Sequence, residues 1–286
     1  MLAHLIAIAN RHRAGLRVQT AVPRLVIWSA EAPTEPIPAL FEPTFYMMLQ
    51  GRKRLTFAGK TSDFCAGSCC IASVGLPFLS QVTDATPEAP YIGVNVMLDA
   101  GVIASLMMDM PGRSDEPVGA ISMGKAEESI LEPLGRLLGL LDTPADIPVL
   151  APQFERELFY RLLQGPMGPR LRQMGHNGAR FSQIKIAADW ICEHADQPMS
   201  VTKLAESVGM SVTSFHRHFK AITGHSPLAY QRYIRLLDAR GRLASGAGNV
   251  TSVAFATGYA SASQFSREYK KAFGVPPMMD AALLRQ

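Results

Sequence analysis

Two arginines fifty positions apart, Arg217 and Arg267, are each followed three residues later by a lysine, Lys220 and Lys270. These side chains suit recognition chemistry. A guanidinium donates two parallel hydrogen bonds to the acceptors on a guanine edge, and an ammonium makes a point-charge contact with a phosphate. Either pair alone would pass for the solvated face of a helix. Their setting argues otherwise, because the two pairs stand in one segment written twice. Val201–Gly209 aligns with Val250–Gly258. After one extra residue in the second copy, Ser211, Phe215, Arg217, Phe219, Lys220, Gly224 and Pro227 align with Ser261, Phe265, Arg267, Tyr269, Lys270, Gly274 and Pro277.

Each copy has the pattern that would position such side chains. A short helix faces inward through Leu204, Ala205 and Val208 in the first copy, and through Val253, Ala254 and Thr257 in the second. Gly209 or Gly258 closes it, since positive φ costs glycine least. Ser211 or Ser261 then caps a second helix by accepting from a free backbone N–H. Phe215, Phe219 and Ile222, or Phe265 and Tyr269, recur at helical spacing and anchor that helix. The opposite face carries Thr213, His216, Arg217 and Lys220 in the first copy. In the second it carries Ser263, Gln264, Ser266 and Arg267, flanked by Lys270 and Lys271. This is the layout of a helix-turn-helix, whose second helix enters the DNA major groove. The copies differ at Thr213/Ser263, Ser214/Gln264 and His216/Ser266, so they are expected to read different half-sites.

Between the copies, residues 227–243 form a helical stripe of Leu228, Ile234, Leu237 and the tyrosines, coated by Arg232, Arg235, Arg240 and Arg242. A helix of that length spans about 26 Å. Such a spacer would let two reading helices enter successive major grooves, about 34 Å apart on one DNA face. One monomer would then read a bipartite site, and a dimer would read copies of it.

Charge is distributed to match. From Arg180 onward there are 13 Lys and Arg against 7 Asp and Glu, a balance of +6, so the remainder of this +4 chain is at −2. A mildly acidic front joined to a basic rear suits a sensor attached to a nucleic-acid binder. With 48% apolar residues over 286 positions there is material for one or two real cores. The opening residues MLAHLIAIANRHR place charge after the apolar run, the wrong order for a secretory signal. No apolar stretch is long enough to span a bilayer. The four cysteines lack secreted-framework spacing, and a reducing cytoplasmic setting is expected.

The front half reads differently. Strands are expected at Leu25–Trp28, Phe45–Leu49, Arg54–Phe57, Cys69–Val74, Leu79–Val82 and Tyr91–Leu98, with hairpin turns at Gln50-Gly51 and Ala58-Gly59. Many short strands point to a sandwich or small roll. Helices are expected at Gly101–Met110, Ala126–Leu141 and Pro152–Leu163. In the second of these, Leu134, Leu137, Leu138 and Leu141 form a stripe that would either mediate a dimer or cover the roll. The Gly- and Pro-rich run Gly165–Gly178 reads as the connection to a helical rear domain that opens at Phe181–Ala195.

The rear residues resemble the AraC/XylS family of bacterial transcription regulators. The second motif stands as VAFATGYASASQFSREYKKAFGVPP and the first as LAESVGMSVTSFHRHFKAITGHSPLAYQRYIRL, the resemblance covering Ile184–Pro277. It implies a seven-helix DNA-binding domain with two helix-turn-helix units joined by a long helix. Thr213, His216 and Arg217 would take the first base-reading positions, and Ser263, Gln264, Ser266 and Arg267 the second. APTEPIPALFEPTFYMMLQGRKRLTFAGK and LPFLSQVTDATPEAPYIGVNVMLD resemble a sensor domain of the same family. That implies a cupin-like β-roll with trailing helices, and effector sensing.

A cupin-like roll raises the rival reading of a metal-dependent enzyme carrying a DNA-binding module. Such sites gather several His, usually with Glu, and no His occurs between Arg13 and Gly175. Cys65, Cys69 and Cys70 suggest a redox sensor, but Cys69 and Cys70 are adjacent and would point to opposite faces of a strand. Buried, small apolar cysteines account for them more simply. For an effector, Tyr46, Arg52, Phe57 and Tyr91 are the candidates, alongside Trp28, Phe45, Phe78 and Arg54. Exposed hairpin charge is the simpler reading of the two arginines.

The expectation is therefore an α+β protein. Residues 1–164 form the cupin-like roll with its trailing helices, 165–180 a linker, and 181–286 an all-α double helix-turn-helix domain. The expected function is sequence-specific transcription regulation, as an activator, with an unidentified small-molecule effector and no cofactor or metal. Expected partners are double-stranded DNA with a bipartite operator, RNA polymerase and a second copy of the chain. A DNA-binding protein without an effector is the remaining alternative.

Overall fold

The computed structural model describes residues 1–57, 60–110, 121–175 and 179–284. The chain divides into two compact units, one built from Met1–Ile37 and Phe41–Ser182 and the other centred on Gln183–Gln286.

The first unit opens with helix α1 (Leu2–His12). Nine strands follow: β1 (Arg17–Gln19), β2 (Leu25–Ala30), β3 (Ile37–Phe41), β4 (Thr44–Gln50), β5 (Arg52–Phe57), β6 (Lys60–Cys65), β7 (Ser68–Ala72), β8 (Leu76–Asp84) and β9 (Tyr91–Met97). After α2 (Ala100–Met108) comes β10 (Ile121–Lys125), then α3 (Glu128–Gly139), α4 (Ile147–Gln164) and α5 (Gly168–Gly175). One sheet runs β1-β2-β9-β4-β7-β10 and the other β3-β8-β5-β6. This is the cupin-like roll with trailing helices. All six expected strands are present, and β1, β3, β6 and β10 join them. The Gln50-Gly51 turn joins β4 to β5, whereas Ala58-Gly59 lies outside the described residues.

Strand β4 is buried along nearly its whole length because it is covered twice. The side chains of α1 lie against it on one side. On the other, the Tyr46 ring meets Phe41 and Phe64 from the opposing sheet, at centroid distances of 6.4 and 6.1 Å. An unbroken apolar run, rather than alternation, is what two-sided burial requires.

The trailing helices complete this core. Asp99 caps α2 by accepting from the amides of Gly101 and Val102, a standard exchange of a side-chain oxygen for a missing intrahelical partner. Arg24 grips the same cap at 2.9 Å and the carboxylate of Glu155 in α4 at 2.8 Å, fastening both helices to β2. The Leu134–Leu141 stripe is fully buried, with α3 packed on α1 and α4. Of its two expected uses, burial within the unit is the one observed, and the stripe offers no dimer surface. The expected connection at 165–180 differs as well. Much of it is α5, packed on α2 and α4. Gly168 is needed there because a Cβ would overlap the Leu163 carbonyl. Gly168 in that run thus serves close packing.

The second unit contains α6 (Ala179–Glu193), α7 (Val201–Ser207), α8 (Val212–Thr223), α9 (Pro227–Ala244), α10 (Val250–Ala256), α11 (Ala262–Phe273) and α12 (Pro277–Leu284). It has two cores that share one helix. Tyr230 and Ile234 of α9 pack with α6, α7 and α8. Leu236, Ala239 and Leu243 of the same helix pack with α10, α11 and α12.

Candidate nucleic-acid interface

Both repeated segments form the expected geometry. In the first, Gly209 takes φ +68° between α7 and α8, and Ser211 accepts from the Ser214 amide at 3.3 Å to start α8. In the second, Gly258 takes φ +83° and Ser261 accepts from the Gln264 amide at 3.4 Å to start α11. Gly224 and Gly274 end the two helices in the left-handed conformation. Phe215, Phe219, Phe265 and Tyr269 are buried anchors, and their rings meet at centroid distances of 5.4 Å in each pair.

Burying those anchors turns the opposite faces outward. Thr213, His216, Arg217 and Lys220 are exposed on α8, and Ser263, Gln264, Arg267 and Lys270 on α11, with Ser266 half-buried beside them. Gln264 is also held by Glu268 at 3.2 Å. Glu268 in turn accepts from Tyr259 and faces Arg232 at 3.5 Å. The side chain of Gln264 is thereby oriented before any partner arrives.

The cations fall into two groups. Among the described residues, no carboxylate oxygen lies within 4.0 Å of Arg217, Lys220, Arg267, Lys270 or Lys271. The arginines of α9 are already engaged: Arg232 and Arg242 coat its surface as expected, whereas Arg235 and Arg240 turn inward. Arg240 is buried against Asp280 at 2.7 and 3.0 Å. Arg242 pairs with Asp238. Arg235 donates to the carbonyls of Ala195, Gln197 and Gly258. Leu228 also departs from the expected stripe: it is 51% exposed, and Leu236 takes its place in the core. Among the described residues of this unit, the exposed cations with no carboxylate within 4.0 Å are Arg217, Lys220, Arg267, Lys270 and Lys271 on the two reading helices and Lys203 of α7.

Arg235 shows that the two motifs are built as one object. Its three acceptors come from the loop after α6 and from the turn of the second motif. Gly258 lies so close to Asp196 that a Cβ would overlap the Asp196 carbonyl, whereas at Gly209 the nearest atom is the end of the Gln183 side chain, 3.4 Å away. Two substitutions that look equivalent in the repeat should therefore differ. Gly258→Ala combines left-handed strain with a backbone overlap and is expected to cost roughly 2–6 kcal/mol. Gly209→Ala carries the strain alone, about 1–2 kcal/mol. Thermal unfolding of the two variants checks this, and equal losses would refute the contact.

The front-unit candidates are divided by strand alternation. Arg52 and Arg54 face solvent, beside Asp84 at 3.8 Å and Asp63 at 2.7 Å. Phe57 is half-buried on the opposite face of β5, and Tyr46 and Tyr91 are buried within the roll, their hydroxyls 3.1 Å apart. Arg52 and Arg54 therefore do not meet the two tyrosines. The residue that does is Lys53, buried between them in sequence, which donates to the Tyr91 hydroxyl at 3.1 Å. Period-two alternation over Arg52-Lys53-Arg54 was the signal that could have found it, since one of three consecutive cations must face inward. Cys69 and Cys70 are buried, and burial pushes the Cys69 thiol to about 12 and that of Cys70 higher still. Neither supplies much thiolate near neutrality. Cys65 is exposed. Among the described residues, no three His, Cys, Asp or Glu gather as metal ligands would.

Comparison with known proteins agrees with this geometry. Residues 21–170 match the model of the AraC-type transcriptional regulator N-terminus, and residues 204–279 match a helix-turn-helix domain. The chain belongs to the AraC/XylS family. It is 27% identical over 160 residues to the HTH-type transcriptional activator RhaS of Pectobacterium atrosepticum, a match covering 56% of this chain and 54% of that one. It is 34% identical over 100 residues to a probable thc operon regulatory protein of Rhodococcus erythropolis, covering 34% and 30%. The chain thus spans about half or less of the lengths of these curated relatives. In fold it is similar to ToxT from Vibrio cholerae, with TM-score 0.54 and 12% identity over 91% of this chain and 97% of that one. As an AraC-type regulator it pairs an N-terminal roll with a helix-turn-helix DNA-binding domain. No described helix is long and apolar enough to cross a membrane.

Proposed function

We propose that this chain is a transcription activator in which one monomer reads a bipartite DNA site with α8 and α11, under the control of a small molecule taken up by the roll. The observation that carries this reading is the pair of equivalent helix faces whose cations, among the described residues, have no carboxylate within 4.0 Å, mounted on one shared helix. Arg217 and Arg267 read guanine edges, and Lys220 and Lys270 hold phosphates. Thr213, His216, Ser263, Gln264 and Ser266 supply the remaining base contacts. The differences between the copies give the two half-sites different sequences. The roll with its trailing helices, residues 1–164, acts as the sensing domain, and residues 181–286 as the reader.

Likeness to a RhaS activator over about half its length supports the sign of regulation. The reading also places the chain in the cytoplasm, makes it a regulator without enzymatic activity, and makes RNA polymerase its downstream partner. Any homodimer would have to use a surface other than the Leu134–Leu141 stripe.

Base and phosphate contacts respond differently to salt, and that separates the roles. Lys220→Ala is expected to weaken binding by a similar factor on every sequence and to lower the slope of log affinity against log salt by about 1. Titrations of labelled duplexes at several salt concentrations measure this. A loss confined to one sequence would place Lys220 on a base instead. For the sensing role, a metabolite that binds the folded chain must raise its melting temperature. A broad metabolite library with no stabilising member would count against an effector.

A further inference from the structure

The roll buries the ammonium of Lys53 among aromatic rings and hydroxyls. Lys53 is 7% exposed, and its Nζ lies 3.1 Å from the Tyr91 hydroxyl, which lies 3.1 Å from that of Tyr46. The same Nζ stands over both rings, 5.0 Å from the centroid of Tyr46 and 5.3 Å from that of Tyr91. Among the described residues, no carboxylate lies within 4.0 Å of it, although Arg52 and Arg54 on either side each face one. The aromatic faces and one hydroxyl offset only part of the cost of removing an ammonium from water. A methionine of similar length would fill this position more cheaply.

A further feature lies at the same place. In the register of β4 with β9, Tyr46 stands opposite Asn95. Asn95 shares its face of β9 with Tyr91 and with Gly93. At Gly93 a Cβ would come within 2.8 Å of both tyrosine side chains, so the missing side chain is what lets the two phenols meet. Desolvation raises the Tyr46 hydroxyl well above its ordinary range, which keeps it a proton donor. The surroundings are apolar, with Phe64 edge-on to Tyr46 and Phe41 stacked on Phe78 at 3.8 Å.

We infer that the roll binds an organic carboxylate with an apolar body, its charged group seated on Lys53 and the Tyr46 and Tyr91 hydroxyls. This rests on the reading of the roll as an effector domain and adds the chemical class of the effector. One ammonium and two phenols match the acceptor capacity of a single carboxylate. The aromatic walls suit a hydrocarbon or aromatic remainder better than a sugar.

The test uses the full chain with benzoate, phenylacetate and octanoate, each compared with its neutral amide. At least one acid is expected to raise the melting temperature by ~3 °C or more at saturation, while its amide does not. Lys53→Met is expected to melt no lower than the wild type without ligand and to bind that acid at least ~10-fold more weakly, a 1.4 kcal/mol loss or more. Lys53→Arg, which keeps the charge, should retain part of the affinity. The inference is overturned if no acid stabilises the wild type, or if Lys53→Met responds as the wild type does. Stabilisation by the amides alone would leave effector sensing standing and remove the anionic anchor.

Discussion

Replacing Arg217 and Arg267 together by alanine is expected to abolish site-specific DNA binding while leaving the fold unchanged. Each guanidinium in a bidentate contact with guanine is worth about 1–3 kcal/mol of discrimination. The two belong to helices in different cores, so their losses should add. The combined effect is roughly 2–6 kcal/mol, or about 30-fold to 10⁴-fold in affinity for the specific site. Stability should not follow, because both side chains are exposed and neither has a carboxylate within 4.0 Å among the described residues. Anisotropy titrations at fixed salt, alongside thermal unfolding, separate the two effects. Full affinity in the double variant would remove α8 and α11 from the role of reading helices.

A large stability effect is also expected in the core of the second motif, where α9, α11 and α12 meet. Asp280 of α12 receives two hydrogen bonds from Arg240 of α9, at 2.7 and 3.0 Å, and one from the Tyr269 hydroxyl of α11 at 2.7 Å. The ion pair is almost wholly buried, and the guanidinium also lies 5.3 Å from the Phe273 ring. Removing one partner strands the other without solvent. Asp280→Ala is therefore expected to cost about 3–5 kcal/mol, because it orphans a buried cation and a buried hydroxyl at once. Replacing both members, as in Arg240→Met with Asp280→Leu, should recover much of that loss, since a well-packed apolar pair avoids desolvation. Tyr269 is the anchor that turns Arg267 outward, so Asp280→Ala should also weaken binding at the second half-site before the first. Thermal unfolding of the single and double variants tests the prediction. A loss below 1 kcal/mol in Asp280→Ala would show that the triad contributes little.

What the sequence made legible follows from which physical signals are local. The repeat was readable because glycine turns, serine caps and anchors at helical spacing each act within a few residues. All of them recur fifty positions on. The expected start of α8 after Ser211 and the inward set Leu204, Ala205 and Val208 are found in place. The strands that were read carry apolar runs or alternation. Those that were missed do not: β6 is mostly exposed and polar, β3 contains Pro38, and β1 has only three residues. Arg235 and Arg240 of α9 depart from the expected surface coat for a different reason. Whether an arginine coats a helix or turns inward depends on carbonyls and carboxylates distant in sequence, such as Gly258 and Asp280, and spacing carries no record of them. The same holds in the roll, where alternation along β5 rather than residue type selects Lys53 over Arg52 and Arg54. The run 165–180 looked like a tether by composition, yet Gly168 is there to let α5 approach the end of α4.

The central claim is that one chain reads two different half-sites through two copies of one motif. Selection of bound duplexes from a random pool, run on the full chain and on the Arg217→Ala and Arg267→Ala variants separately, tests it most directly. The wild type should enrich two unlike sequence blocks whose centres lie about one helical turn apart, 10–10.5 base pairs. Each variant should lose guanine preference in one block and keep the other intact. A single enriched block, or two variants that degrade the same block, would contradict the claim.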